Sequence, residues 1–126
     1  MQPKETMNAK KLCLTVLAAL SLWACAVEPV APNTRPIILD TSYTRYCDNG
    51  MLFGGGRVVF PKGVYQPSFQ TEAGVFYEAP TFLIGAVPAR GGLFIPHDPS
   101  GKQACWFEPA FFQLSTVRGE PIPYHH

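Results

Sequence analysis

The chain has 126 residues, enough for one domain and no more. It is 47% hydrophobic and 15% charged, which excludes a disordered polyelectrolyte, and its 13 prolines and 11 glycines exclude long uninterrupted helices. The formal net charge is +1, but once Lys4, Lys10, Lys11 and Glu5 are set aside, residues 25–126 carry seven basic and eight acidic side chains. That balance excludes the clustered basic surface a nucleic-acid binder needs for counterion release.

The N-terminus reads as an export signal over residues 1–24. Lys10-Lys11 forms a basic start, Leu12 to Trp23 an apolar run, and Ala24 and Ala26 supply small residues at its end. The run is too short to span a bilayer comfortably, which takes about 20 residues. Met7 offers a second start that drops Glu5. Two processing routes fit: cleavage at the small-x-small site around Cys25, giving a secreted or periplasmic protein, or cleavage before Cys25 with lipid attached to it. Either leaves Cys47 and Cys105 as an even pair in an oxidising compartment.

Leu22-Trp23-Ala24-Cys25 resembles the lipobox of bacterial lipoproteins, with Trp23 larger than the residue usual at its position. The resemblance implies that Cys25 carries fatty acyl chains such as palmitate and anchors the protein to the cell envelope. Ala26 after the cysteine implies the outer membrane, with the domain facing the periplasm or the surface. Residues 25–35 hold Pro29 and Pro32, with Pro36 following, and predict an extended tether of about 3.1 Å per residue, long enough to hold a domain about 30 Å from the bilayer.

From Pro36 to Ile122 the pattern is all-β, a small sandwich or barrel of short antiparallel strands, with residues 123–126 as a tail. Tyr43 to Cys47 alternates, Asp48-Asn49-Gly50 is a hairpin turn, Met51 to Phe53 resumes the apolar run, and Gly54 to Gly56 bends before Arg57 to Phe60. Pro61-Lys62-Gly63 is the next turn. Further strands are predicted over Val75 to Glu78, Thr81 to Val87, Leu93 to Ile95, Ala104 to Glu108 and Phe111 to Val117. Their separators include Glu72-Ala73-Gly74, Pro88 to Gly92 and Asp98 to Gly101.

Three segments share an aromatic residue, a Gln or Glu, a proline, a small residue and Phe. They are Tyr65 to Phe69, Tyr77 to Phe82 and Phe107 to Phe111. In the first and third the aromatics and proline have one parity, which places them on one strand face; the second has one residue more, as a bulge would. Proline cannot donate to a ladder, so each copy predicts an edge, bulge or corner.

A disulfide between Cys47 and Cys105 would close a long loop and stabilise the fold by about 4 kcal/mol in the chain-entropy model. The motifs of phosphate-binding loops, zinc hydrolases and serine hydrolases are absent. His97-Asp98 could be a base and its orienter, with Ser100 nearby, but His-Asp-Pro-Ser-Gly is also turn chemistry, with Gly101 in the left-handed position, and a turn is the expectation. His125-His126 reads as a frayed end, and neither a metal nor another cofactor is expected. Glu78 and Glu108 hold matching repeat positions and could pair as glycosidase carboxylates, though solvent-facing carboxylates beside a bend are the expectation. Arg57, Arg90 and Arg118 are scattered along the chain, and Arg90, in its glycine loop, is with His97 and Asp98 a candidate binding residue. An exposed Phe82 to Val87 run would mark self-association.

Tyr46-Cys47-Asp48-Asn49-Gly50 after a lipoprotein signal resembles the opening of the membrane-bound lysozyme inhibitor family. That resemblance implies a small lipidated β barrel with an early cysteine bonded to a late one. The family's Ser-Gly-x-x-Tyr loop pattern does not occur in the chain. The expectation for function is therefore a non-catalytic envelope lipoprotein that binds a protein or peptidoglycan partner or serves as a structural accessory. A lysozyme-type hydrolase inhibitor and a small envelope hydrolase using His97 are the alternatives.

Overall fold

The computed structural model describes residues 27–48, 56–84, 86–108 and 114–126. Cys25, the signal segment, the tip of the Asp48-Asn49-Gly50 turn and the Pro109 to Phe111 half of the third repeat lie outside these. Among the described residues there is no helix, and ten strands form one sheet: β1 Ile37–Leu39, β2 Tyr43–Cys47, β3 Gly56–Phe60, β4 Gly63–Gln70, β5 Gly74–Glu78, β6 Phe82–Ile84, β7 Val87–Ala89, β8 Gly91–Pro96, β9 Ala104–Phe107 and β10 Ser115–Arg118. Every pairing is antiparallel, and the spatial order is β1-β4-β5-β8-β9-β10-β2-β3-β6-β7, an open sheet that does not close into a barrel.

The sheet turns back on itself at β10. Ser115 and Thr116 pair with β9, whereas Val117 and Arg118 pair with β2. Two strands flanking a third in a flat sheet stand about 9.6 Å apart. Cys47 on β2 and Cys105 on β9 nevertheless have Cα atoms 6.3 Å apart and are joined by the expected disulfide. The sheet must therefore bend at β10, and the staple crosses the bend.

The bend folds two groups of strands over one core. Leu39, Val58, Phe60, Tyr65, Tyr77, Phe82, Leu93, Phe107 and Val117 all contribute to it, with the disulfide at its side. The opposite face of β5, β8 and β9 is also buried, in a second cluster of Phe76, Phe94, Ala104 and Trp106 packed by Phe69 and Leu114. Burial on both faces explains why Val75 to Tyr77, Leu93 to Ile95 and Ala104 to Phe107 read as continuous apolar runs.

The repeat does not keep its parity. Pro67 pairs with Tyr77 and Phe69 with Phe76, so Ser68 is an extra residue in β4. This bulge sends Tyr65 into the main core and Phe69 into the second cluster, because a one-residue slip exchanges the two faces of a strand. The bulge thus falls in the first copy of the repeat.

Other differences have local causes. The single strand expected over Thr81 to Val87 is a tight hairpin, Ile84 pairing with Val87. Phe82 is buried, while Val87 is 61% exposed on the edge strand β7. Gly91 and Gly92, expected in a turn, open β8, since a Cβ on Gly91 would meet Phe82 and one on Gly92 would lie 2.1 Å from the Tyr77 carbonyl oxygen. The tail is not frayed. His125 exchanges backbone hydrogen bonds with Ile38, its imidazole meets Asp40, and the Gln103 side-chain amide bonds both backbone groups of buried Ile122.

Candidate functional site

Arg90 precedes β8, which lies between β5 and β9, and this places it between the carboxylates that end those strands. Its Nε and Nη2 donate to Glu78 Oε2 and Oε1 at 2.7 and 2.9 Å, and its Nη1 donates to Glu108 Oε2. The Arg90 carbonyl accepts from the Glu108 backbone N–H at 2.9 Å, so the main chain fixes the same geometry. Ser68, projected by the bulge, donates its hydroxyl to Glu78 Oε1. The Glu78 hydrogen bonds, ahead of the neighbouring charges, raise the guanidinium pKa above its ordinary value. The matching repeat positions of Glu78 and Glu108 therefore become one half-exposed ion cluster. Both carboxylates are bound to Arg90 and do not face each other as an open acid and base pair.

At the other end of β8 the Asp98 Oδ1 accepts from the Ser100 N–H at 3.0 Å and the Ser100 hydroxyl at 2.9 Å, and Gly101 N–H donates to the Asp98 carbonyl. These bonds, the backbone one foremost, hold the carboxyl below its ordinary pKa. His97 is exposed and its backbone N–H is tied to Ala73. Asp98 thus orients Ser100 and not His97, which is the turn expected from the sequence. Gly101 is not left-handed, since the positive-φ glycines among the described residues are Gly63 and Gly119. It is needed because a Cβ there would sit 2.9 Å from Pro96.

Beside this turn opens a groove of about 440 Å³. Ile95, Pro96, Val117 and Tyr124 give it apolar walls, and Asp48, Asp98, Lys102 and Arg118 give it charge. Arg118 donates to Asp48 Oδ1 at 3.0 Å and lies 5.0 Å over the Tyr46 ring. Tyr46 is in register with Arg118 on one side and Arg57 on the other. Two of the three arginines scattered in sequence are therefore neighbours of one exposed tyrosine, while Arg90 stands in its own cluster. The sequence could not show this, because the row is assembled from β10, β2 and β3 by long-range pairing alone. Lys102, which the sequence does not single out, makes no ion pair among the described residues. In the same set no group of three or more His, Cys, Asp or Glu is placed to hold a metal ion.

Together these features define a small all-β, disulfide-stapled domain with a charged groove and a separate ion cluster. No protein-family model, curated protein or solved structure matches the chain.

Proposed function

We propose that the chain is a non-catalytic cell-envelope lipoprotein, lipidated at Cys25 and held at the outer membrane, whose β domain binds a protein or cell-wall partner in the groove beside Lys102 and Arg118. The observation that carries the reading is the groove itself. It combines apolar walls, an aromatic side chain and a cation without an ion-pair partner among the described residues, features that suit a carboxylate-bearing peptide or stem peptide. The carboxylates that might have served hydrolysis are engaged with Arg90 and Ser100 instead. Co-sedimentation of the mature protein with isolated peptidoglycan, alongside crosslinking in envelope extracts, tests it. A Lys102→Ala, Arg118→Ala double variant should lose the captured partner while retaining its melting temperature. Equal capture by both proteins would rule out the groove.

One observation favours a second reading. The early cysteine after exposed Tyr46 is bonded to the late one, Cys47 to Cys105, as the resemblance to membrane-bound lysozyme inhibitors implies. Full lysozyme activity in the presence of excess purified domain would end that reading.

A further inference from the structure

The segment expected to hold the domain away from its anchor is part of the sheet flank. Glu28 N–H donates to the Gln70 carbonyl at 2.8 Å, and Gln70 N–H donates back at 2.9 Å. Val30 packs on the main core, and a turn closed by Thr34 N–H on the Ala31 carbonyl leads towards β1. The proline-rich leader is thus docked from Glu28 onward, and the expected 30 Å stand-off is not available to it.

Direction follows from the pairing. The Glu28 bridge is antiparallel to β4, so the chain enters it, through Val27, from the side of the turn at Thr71 to Gly74. Cys25 lies three positions before Glu28, and a chain that long reaches at most about 10 Å. The Thr71 to Gly74 turn is joined to the His97 turn by the pairing of Gly74 with Pro96 and by the His97 N–H on the Ala73 carbonyl. Glu78 ends β5 at the other extreme, roughly 14 Å away at about 3.4 Å per residue.

We infer that lipid at Cys25 seats this domain directly on the bilayer, with the Thr71–Gly74 turn and the adjoining His97 at the phospholipid headgroups, and with the groove beside Lys102 and the Arg90 ion cluster clear of them. This rests on the lipidation proposed above. This end of the domain carries the polar residues Thr71, Glu72 and His97, and the large exposed apolar side chains among the described residues, Tyr46, Val64 and Val87, lie elsewhere. The surface therefore meets headgroups without inserting between acyl chains.

The test uses the full chain, processed in a bacterial host and reconstituted into phosphatidylethanolamine and phosphatidylglycerol vesicles that contain a nitroxide-headgroup lipid. Tryptophan is introduced in separate variants, Ala73→Trp and His97→Trp at the proposed contact end and Lys62→Trp at the far end of β4, with buried Trp106 as constant background. Quenching several-fold stronger at positions 73 and 97 than at 62 is expected, and equal quenching in a protein of lipidated mass overturns the seating alone. A mature mass without lipid overturns both the seating and the anchor. Glu28→Pro removes the N–H given to Gln70 and should bring quenching at position 73 down to the level at 62. Unchanged quenching would show that the pairing does not set the orientation.

Discussion

The indole Nε1–H of Trp106 donates to the carbonyl oxygen of Tyr77 at 3.1 Å, reaching over β8 where Gly92 offers no side chain. Gly92 pairs with Trp106 on one side and with Glu78 on the other, and a Cβ there would lie 2.1 Å from the same Tyr77 carbonyl oxygen. The buried indole gains a partner for its only polar atom. Gly92→Ala should lower stability by about 1–3 kcal/mol, the usual range for overpacking. Trp106→Phe, which keeps an aromatic ring and removes the donor, should cost a similar amount. Urea unfolding checks both, and wild-type stability in Gly92→Ala would refute the close approach.

The disulfide spans 58 residues and ties the two sides of the β10 bend. Its loss should remove about 4 kcal/mol, lowering the melting temperature by about 15–30 °C in a domain of this size. Thermal melts with and without reductant, and of Cys47→Ser, measure it. Identical melts would remove the staple from any account of stability.

Tyr65 is fully buried, donates to the Pro61 carbonyl at 2.8 Å, and has its pKa raised by burial. A phenol whose pKa is higher folded than unfolded contributes stability in full below its unfolded value of about 10, and that contribution is lost as pH rises through the higher folded value. Denaturant midpoints should therefore fall between pH 9 and 11, on the order of that unfolded value. Tyr65→Phe should be less stable at neutral pH, through the lost hydrogen bond, yet show a flatter alkaline limb. An equally steep limb in the variant would assign the effect to other groups.

Ser115 lies 1% exposed on β10, paired with Cys105, and its hydroxyl has no hydrogen-bond partner among the described residues. An unsatisfied buried hydroxyl typically costs about 1–3 kcal/mol. Ser115→Ala removes it and leaves only a small gap, so its unfolding midpoint should match or exceed that of the wild type. A clear loss of stability would mean that the hydroxyl is satisfied in solution, for example by a bound water.

What could be read from the residues was local. His97 to Gly101 announced a turn through Asp, Pro and Gly, and the alternation of Tyr43 to Cys47 announced a strand, because those signals act within a few residues. The two spare cysteines named their own partner by elimination. Failures came where a distant group decides. Gly91-Gly92 looks like a loop until the Phe82 ring and the Tyr77 carbonyl are brought against it. The leader looks like a tether until Gln70 pairs with Glu28. Thr81 to Val87 looks like one strand until Ile84 pairs with Val87. The Arg90 cluster was half legible: the repeat aligned Glu78 with Glu108, but only the β5-β8-β9 order puts a guanidinium between them.

The flanks of the sheet have a further consequence for life on a crowded surface. On one side β4 is lined by β1 and Glu28, and β1 in turn by His125, so the leader and the segment after β10 close that flank. On the other side β7 is three residues long and carries Pro88 at its centre, which has no N–H to offer an incoming strand. Copies anchored by lipid as proposed above would diffuse in two dimensions and meet often at high local density. Among the described residues neither flank offers a neighbour a long open strand on which to build, so crowding would not lead one copy to recruit the next through these edges.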